Sequence, residues 1–332
     1  MVFDGTPDQA LALLGAMASV ARVGRDGALS DLDRAALGSA ATLVLRLPEV
    51  PDLDDLDPTP PEALAASLGD LGREALIPLV VMATVDGRVD PTAADLVRDH
   101  AAALGLSSPA VDDLEDVVHG ELARARADML RRNRESITGE WVDDVSTYGA
   151  WMMPYEDAPD PALADRYRAL GDLPEGTFGL AFASFYVANG FGFPGQAGSP
   201  TEDFTTPHDS AHVLSGYDTS VQGELLVSTF TAGMHRDQAL AGHILPVILS
   251  WHLGVPLADL AGSATGALDA RKLWVAWGRG DGTSGDTFSP DWDFWAATAQ
   301  PLDDVRGALS VAPLDPADAA GGEDPDWYQP SA

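Results

Sequence analysis

The chain reads as an all-α protein made of two helical domains. Two observations carry that reading. The first part repeats a helix–turn–helix unit, and the second is a run of capped, strongly apolar helical segments. With 332 residues and 45% hydrophobic content, the chain has room for two ordinary cores. The expected division is 1–135, a linker at 136–160, a second domain at 161–312 and a disordered acidic tail at 313–332.

Residues 8–45 and 71–105 form the repeat. In each copy an apolar helix runs into an Asp-Gly turn, Asp26-Gly27 or Asp86-Gly87, and then into a new N-cap, Ser30 or Asp90. Pro91 suits the first helical position because its missing N–H has no partner there anyway. Pro48 to Pro61 is proline- and acid-rich and reads as a loop, with helix resuming near Pro61. A helix expected from His119 to Glu135 holds Arg124, Arg126, Arg131, Arg132 and Arg134. This basic cluster reads as a solvated face pairing with acids, the alternative being a clamp for phosphate or carboxylate.

Trp141, Tyr148, Trp151, Met152, Met153 and Tyr155 mark the linker, which is expected to pack on the second domain. Helices follow near 162–170, 177–189, 207–215, 220–234, 237–253 and 257–273. Those at 177–189 and 237–253 are apolar nearly all round, which predicts burial, and Pro246 should kink or break the latter. Trp274 to Trp295 is rich in glycine and aromatics and can cover one end of the domain. From about Leu314 the composition predicts disorder.

The chemistry concentrates at His208-Asp209-Ser210-Ala211-His212, then eleven residues, then Glu224. Thr206 as N-cap, Pro207 at the first position and Gly216 as a left-handed stop define a short helix. His208 and His212 are i and i+4 and point the same way, with Asp209 on the flank of that face. Thr219 and Gln222 fit a capping box opening a second helix with Glu224 in its first turns, and Gly223 would let the two helices approach. Two neutral imidazoles and two carboxylates balance the charge of Zn²⁺ or Fe²⁺. His208, Asp209, His212 and Glu224 are therefore the candidate ligands, and Asp209 is the best candidate for an acid/base beside a three-ligand site. His235 and His243 lie downstream and could act as supporting partners, although such histidines are more often ordinary core residues.

The pattern His-Asp-x-x-His-x11-Glu resembles the metal motif of the Coq-four family of ubiquinone-biosynthesis proteins. Leu173-Pro174-Glu175-Gly176-Thr177-Phe178-Gly179 is similar to that family's "LPxGTxG" helix start, and Val213 to Thr219 to its "VLTGYxT" segment. The resemblance spans about residues 160–260. It implies an all-helical, metal-binding protein that acts on, or organises enzymes around, the ring of a polyprenylated quinone precursor, the implied reaction being removal of the C1 carboxylate coupled to hydroxylation. It also implies a hydrophobic ligand, for which the apolar helices could wall a tunnel. The family's basic helix before the His-Asp pair is missing here, since residues 191–204 contain no Arg or Lys. The repeat at 8–105 resembles the TerB-like (tellurite-resistance) domain, which implies acidic-turn metal candidates at Asp26, Asp33, Asp86 and Asp95 and possible partner proteins. The plainer reading of those acids is turns and helix caps. Their spacing is not that of a calcium EF-hand loop.

Fifty-two acids against 19 bases give a net charge of −33, which argues against non-specific nucleic-acid binding and against electrostatic attachment to anionic lipid. Lys272 is the single lysine, and there is no cysteine, which excludes disulfides and thiolate ligands. The longest apolar run, Ile244 to Trp251, is too short to span a bilayer, and the start lacks a basic leader segment. The expected location is cytoplasmic, with a peripheral membrane role open. Three functions remain in play: a metal-dependent oxidative decarboxylase, a non-catalytic lipid- or quinone-binding adaptor with a structural metal, and a metal-dependent hydrolase.

Overall fold

The computed structural model describes residues 3–23, 27–255 and 265–320. Among them the chain is all-helical: there is no strand, only isolated bridges at Thr177–Pro301 and Leu253–Thr265. The chain divides into two compact units. One comprises Met1–Met129 and His243–Gly278, the other Leu130–Gly242 and Arg279–Ala332.

The first unit is built from Pro7–Arg22, Asp31–Leu43, Pro61–Leu68, Gly72–Met82, Pro91–Ala103 and Pro109–His119. The caps are set by the residues read from sequence. The Ser30 side chain accepts from the Asp33 N–H, and Asp33 answers by accepting from the Ser30 N–H at 2.8 Å, a reciprocal capping box. Asp90 accepts from the Thr92 N–H ahead of Pro91. Leu13, Leu14, Met17, Leu37, Leu64, Leu79, Val80, Val97 and Leu114 are fully buried and form its core.

The division differs from the contiguous one expected. Residues 243–278 group with the first unit for a local reason. The His252 Nε2–H donates to the Val85 carbonyl at 3.1 Å while its Nδ1 accepts from the Leu268 N–H at 3.0 Å. The Trp274 indole N–H reaches the Ala36 carbonyl at 3.4 Å. The segment expected as one helix at 237–253 is broken near Pro246. A π-helical turn, Ala239–Ile244, precedes the helix Leu245–Trp251, in which Pro246 occupies the first turn, where its missing N–H costs least. Of the helix expected at 257–273, residues 256–264 lie outside the described residues; the helix present is Ala270–Asp281.

The second unit takes in the expected linker as a packed part of itself. The Thr201 N–H donates to the Met152 carbonyl at 2.8 Å, and the Tyr148 hydroxyl donates to Asn133 Oδ1 at 3.2 Å. The basic helix is Leu122–Thr138, because Gly120 closes the preceding helix in the left-handed conformation (φ 77°). Three of its arginines make contacts within the fold. Arg124 makes a two-pronged ion pair with Asp116, Arg131 donates to the Asp143 carbonyl, and Arg134 lies 5.3 Å from the centre of the Trp151 ring. Phe178–Asn189 starts at the Thr177 cap and buries Phe178, Phe182, Phe185 and Tyr186, while Val187 is exposed. The tail is ordered further than its composition suggests. Leu314 and Ala319 are buried around a short 3-10 turn at Pro316–Asp318, and residues from 321 lie outside the described part.

Candidate metal centre

The histidines sit on the helix Glu202–Ser215, which begins a full turn earlier than the sequence suggested. Thr201, not Thr206, is the N-cap, and Pro207 lies inside the helix. The Thr206 hydroxyl has another use: it pairs with the Tyr167 hydroxyl at 2.5 Å. Gly216 ends the helix at φ 86°, as read from sequence.

Glu224 sits in the first turn of the helix Val221–Met234, where the helix dipole favours a carboxylate. Ser220 caps this helix by accepting from the Gly223 N–H at 3.1 Å, and Thr219 instead donates to Asn189 Oδ1 at 2.7 Å. Gly223 is needed for the turn rather than for helix approach: a Cβ there would lie 2.0 Å from the Asp218 carbonyl oxygen.

Three of the four candidate ligands converge. His208, His212 and Glu224 each offer one ligand atom, all within 4.8 Å of one another. His208 Nε2 lies 3.6 Å from Glu224 Oε2, and His212 Nε2 lies 3.6 Å from Glu224 Oε1, so each imidazole faces its own carboxylate oxygen. The His212 Nδ1–H donates to the Tyr217 carbonyl at 2.8 Å. That bond fixes the tautomer and turns the Nε2 lone pair toward Glu224. Burial lowers the His212 pKa to about 4, so its ring is neutral and fit to ligate. For His208 burial pulls the same way, but the adjacent Glu224 carboxylate outweighs it and leaves the pKa raised. Burial would raise Glu224, yet the neighbouring His212 and His208 hold it below the ordinary value. Phenylalanine rings stack on the imidazoles: Phe185 on His212 at 5.2 Å and Phe204 on His208 at 5.0 Å.

Asp209 is not in that group. Its Oδ2 accepts from the buried Tyr186 hydroxyl at 2.5 Å, and burial raises its pKa to about 6 against the lowering effects of His208 and Tyr186. His235 is engaged elsewhere, with Nδ1 2.6 Å from Asp286 Oδ2 and Nε2 3.0 Å from the Ser136 carbonyl. His243 is buried in the π-helical turn and belongs to the first unit. Of the acidic-turn candidates, Asp33 serves the Ser30 cap, Asp86 pairs with Arg88 and Asp95 with Arg98. Asp26 lies outside the described residues.

Sequence reasoning missed two residues that hold the histidine helix. Arg306 donates to the Val213 and Leu214 carbonyls at 3.0 and 3.1 Å, and Arg279 to the Ser215 carbonyl at 2.9 Å. Both are nine-tenths buried. They satisfy helix-terminal carbonyls and set positive charge at the negative end of the dipole. Their only sequence signal is rarity, as two of 19 bases in a very acidic chain.

Fold and site together define an all-helical protein with a candidate His–His–Glu cation centre. No family model, curated protein or solved structure matches the chain.

Proposed function

We propose that this protein binds a divalent cation, zinc or iron, through His208, His212 and Glu224, and acts there on the ring of a quinone or prenylated aromatic precursor. The observation that carries the cation is the convergence of three ligand atoms within 4.8 Å. The fixed tautomer and lowered pKa of His212, with the lowered pKa of Glu224, make a donor set suited to zinc or ferrous iron. Three protein ligands leave coordination positions for water or a ring oxygen, which favours catalysis over a closed structural site. The ring chemistry rests on the motif resemblance to the Coq-four family.

The bound cation would supply Lewis acidity toward a ring carboxylate or phenolic oxygen. The chain's residues do the rest. The Tyr217 carbonyl keeps His212 in its ligating tautomer. Asp209, with its pKa raised to about 6, can exchange a proton at the oxygen not held by Tyr186. Phe185 and Phe204 pack on the two imidazoles and limit water there.

Elemental analysis of protein purified without added metal tests the reading. Wild type should carry one equivalent, His212→Ala and Glu224→Gln should lose it, and Asp209→Asn should keep it. Wild-type protein that neither carries zinc or iron nor takes up either in competition with a chelator would sink the proposal. Mass spectrometry of co-purified lipid tests the ligand class, and an aromatic prenyl lipid is the expected result.

A further inference from the structure

Beyond the cluster, the second unit holds a line of oxidisable rings. Tyr186 is buried, and its hydroxyl meets Asp209, the residue next to His208. The Phe182 ring lies 5.0 Å from Tyr186 and 6.1 Å from Tyr167. Tyr167 is 4.8 Å from Trp295, which is part-exposed and carries the Arg166 guanidinium 3.6 Å from its ring centre. Phe294 reinforces the line, 4.8 Å from Phe182 and 5.1 Å from Trp295.

We propose that Tyr186, Tyr167 and Trp295 form a one-electron relay between the histidine–glutamate cluster and the protein surface. Tunnelling falls off exponentially with distance, and every step in this line is a ring-to-ring contact. Phenylalanine resists oxidation, so Phe182 and Phe294 act as bridging medium while the tyrosines and the tryptophan are the stations. Core packing accounts for touching rings. A buried hydroxyl needs a hydrogen-bond partner, and for these two phenols the partners include a carboxylate, which can also take up a proton. Tyr186 faces Asp209 at 2.5 Å; Tyr167 faces Thr206 at 2.5 Å and Glu202 at 3.4 Å. A neutral phenol gives up an electron readily only when its proton leaves at the same time, and these partners can receive it.

The steps balance. Tyr186 loses one electron toward an oxidant at the cluster, with dioxygen or a peroxide as the terminal acceptor, and its phenolic proton passes to Asp209. The Tyr186 radical takes an electron from Tyr167 and regains its proton from Asp209, while the Tyr167 proton passes to Glu202. Trp295 then refills Tyr167, which takes its proton back from Glu202. A thiol- or ascorbate-class reductant in solution restores Trp295 with one electron. The oxidant end rests on the proposed cation centre and requires that it hold iron, since zinc has no redox chemistry; the conducting line does not.

A metal-free experiment on the full chain keeps the two separate. The sequence has no cysteine, so Ala296→Cys, at an exposed position beside Trp295, gives a single attachment point for a ruthenium polypyridyl photo-oxidant. Flash-quench oxidation should produce a tyrosyl radical by electron paramagnetic resonance. Trp295→Phe and Tyr167→Phe should each lose most of that signal, and Tyr186→Phe should shift it to Tyr167. Melting temperatures check that the variants fold. In unsubstituted rings, peptide mapping of oxidised side chains should find product at Tyr186 or Tyr167 as well as Trp295. Oxidation that stops at Trp295, or a tyrosyl yield indifferent to Trp295→Phe and Tyr167→Phe in folded protein, overturns the relay whatever the cation analysis finds.

Discussion

Arg306 illustrates how much one distant side chain can decide. Its guanidinium is buried and donates to two carbonyls in the last turn of the histidine helix. Removing it strands those carbonyls away from water, at a cost of about 2–3 kcal/mol for charge-assisted bonds. Arg306→Met keeps most of the volume and should lower the urea midpoint accordingly, with an unchanged m-value. Arg306→Lys should recover part of the loss, because an ammonium is a point donor and cannot span two carbonyls as a fork does. Equal stability in Arg306→Met and wild type would mean that the helix end does not depend on it. The four ligand candidates were legible as a local pattern. Arg306 was not, because nothing in the sequence near His212 announces a partner 94 positions away. Asp209 was half legible: its spacing suggested a ligand, but its neighbour Tyr186 comes from a helix whose apolar pattern hides the one hydroxyl that matters.

At the scale of the element, local chemistry predicted helix ends well wherever a cap acts alone. Ser30, Asp90 and Gly216 all behave as read. Prediction failed where a tertiary partner recruits the capping side chain, as Tyr167 recruits Thr206 and Asn189 recruits Thr219. The helix Pro91–Ala103 carries a further consequence. His100 on its inner face is fully buried, and neither ring nitrogen has a hydrogen-bond partner among the described residues. Burial lowers its pKa, with Asp99 and Glu62 opposing weakly. His252 is lowered in the same way. An unfolded histidine takes up a proton near its ordinary value of about 6.5, before the folded one does. Stability is therefore fully present above that pH and falls as the pH drops below it, by up to about 1.4 kcal/mol per unit for each such group. His100→Leu should flatten the fall below about pH 6.5 in denaturant titrations, leaving the shares of His252 and His212. An unchanged slope would show that the imidazole reaches water or a partner in the folded state.

For the whole molecule, charge is the dominant fact, and it was fully legible: −33 from 52 acids and 19 bases. Composition did not reveal where the ion pairs lie. The ion pairs at Arg34–Asp54, Arg98–Glu115 and Arg168–Asp165 are largely exposed, and pairs of this kind contribute about 0–1 kcal/mol each. Salt acts on two opposed effects. It weakens those pairs, but it also shortens the range over which the surplus acids repel one another, from a Debye length of about 10 Å at 0.1 M to about 3 Å at 1 M. Acids outnumber bases by 33, and exposed pairs of this kind each offset little of that repulsion. Self-repulsion destabilises the compact state, so screening should win. Sodium chloride raised from about 0.1 to 1 M is expected to lift the melting temperature by roughly 5 °C, on the scale of about 2–4 °C per kcal/mol for chains of 150–250 residues. Sucrose matched in osmolality serves as the control, since it favours burial without screening charge. A melting temperature that falls with salt, or rises no more than in sucrose, would mean that pairing and not repulsion governs the surface.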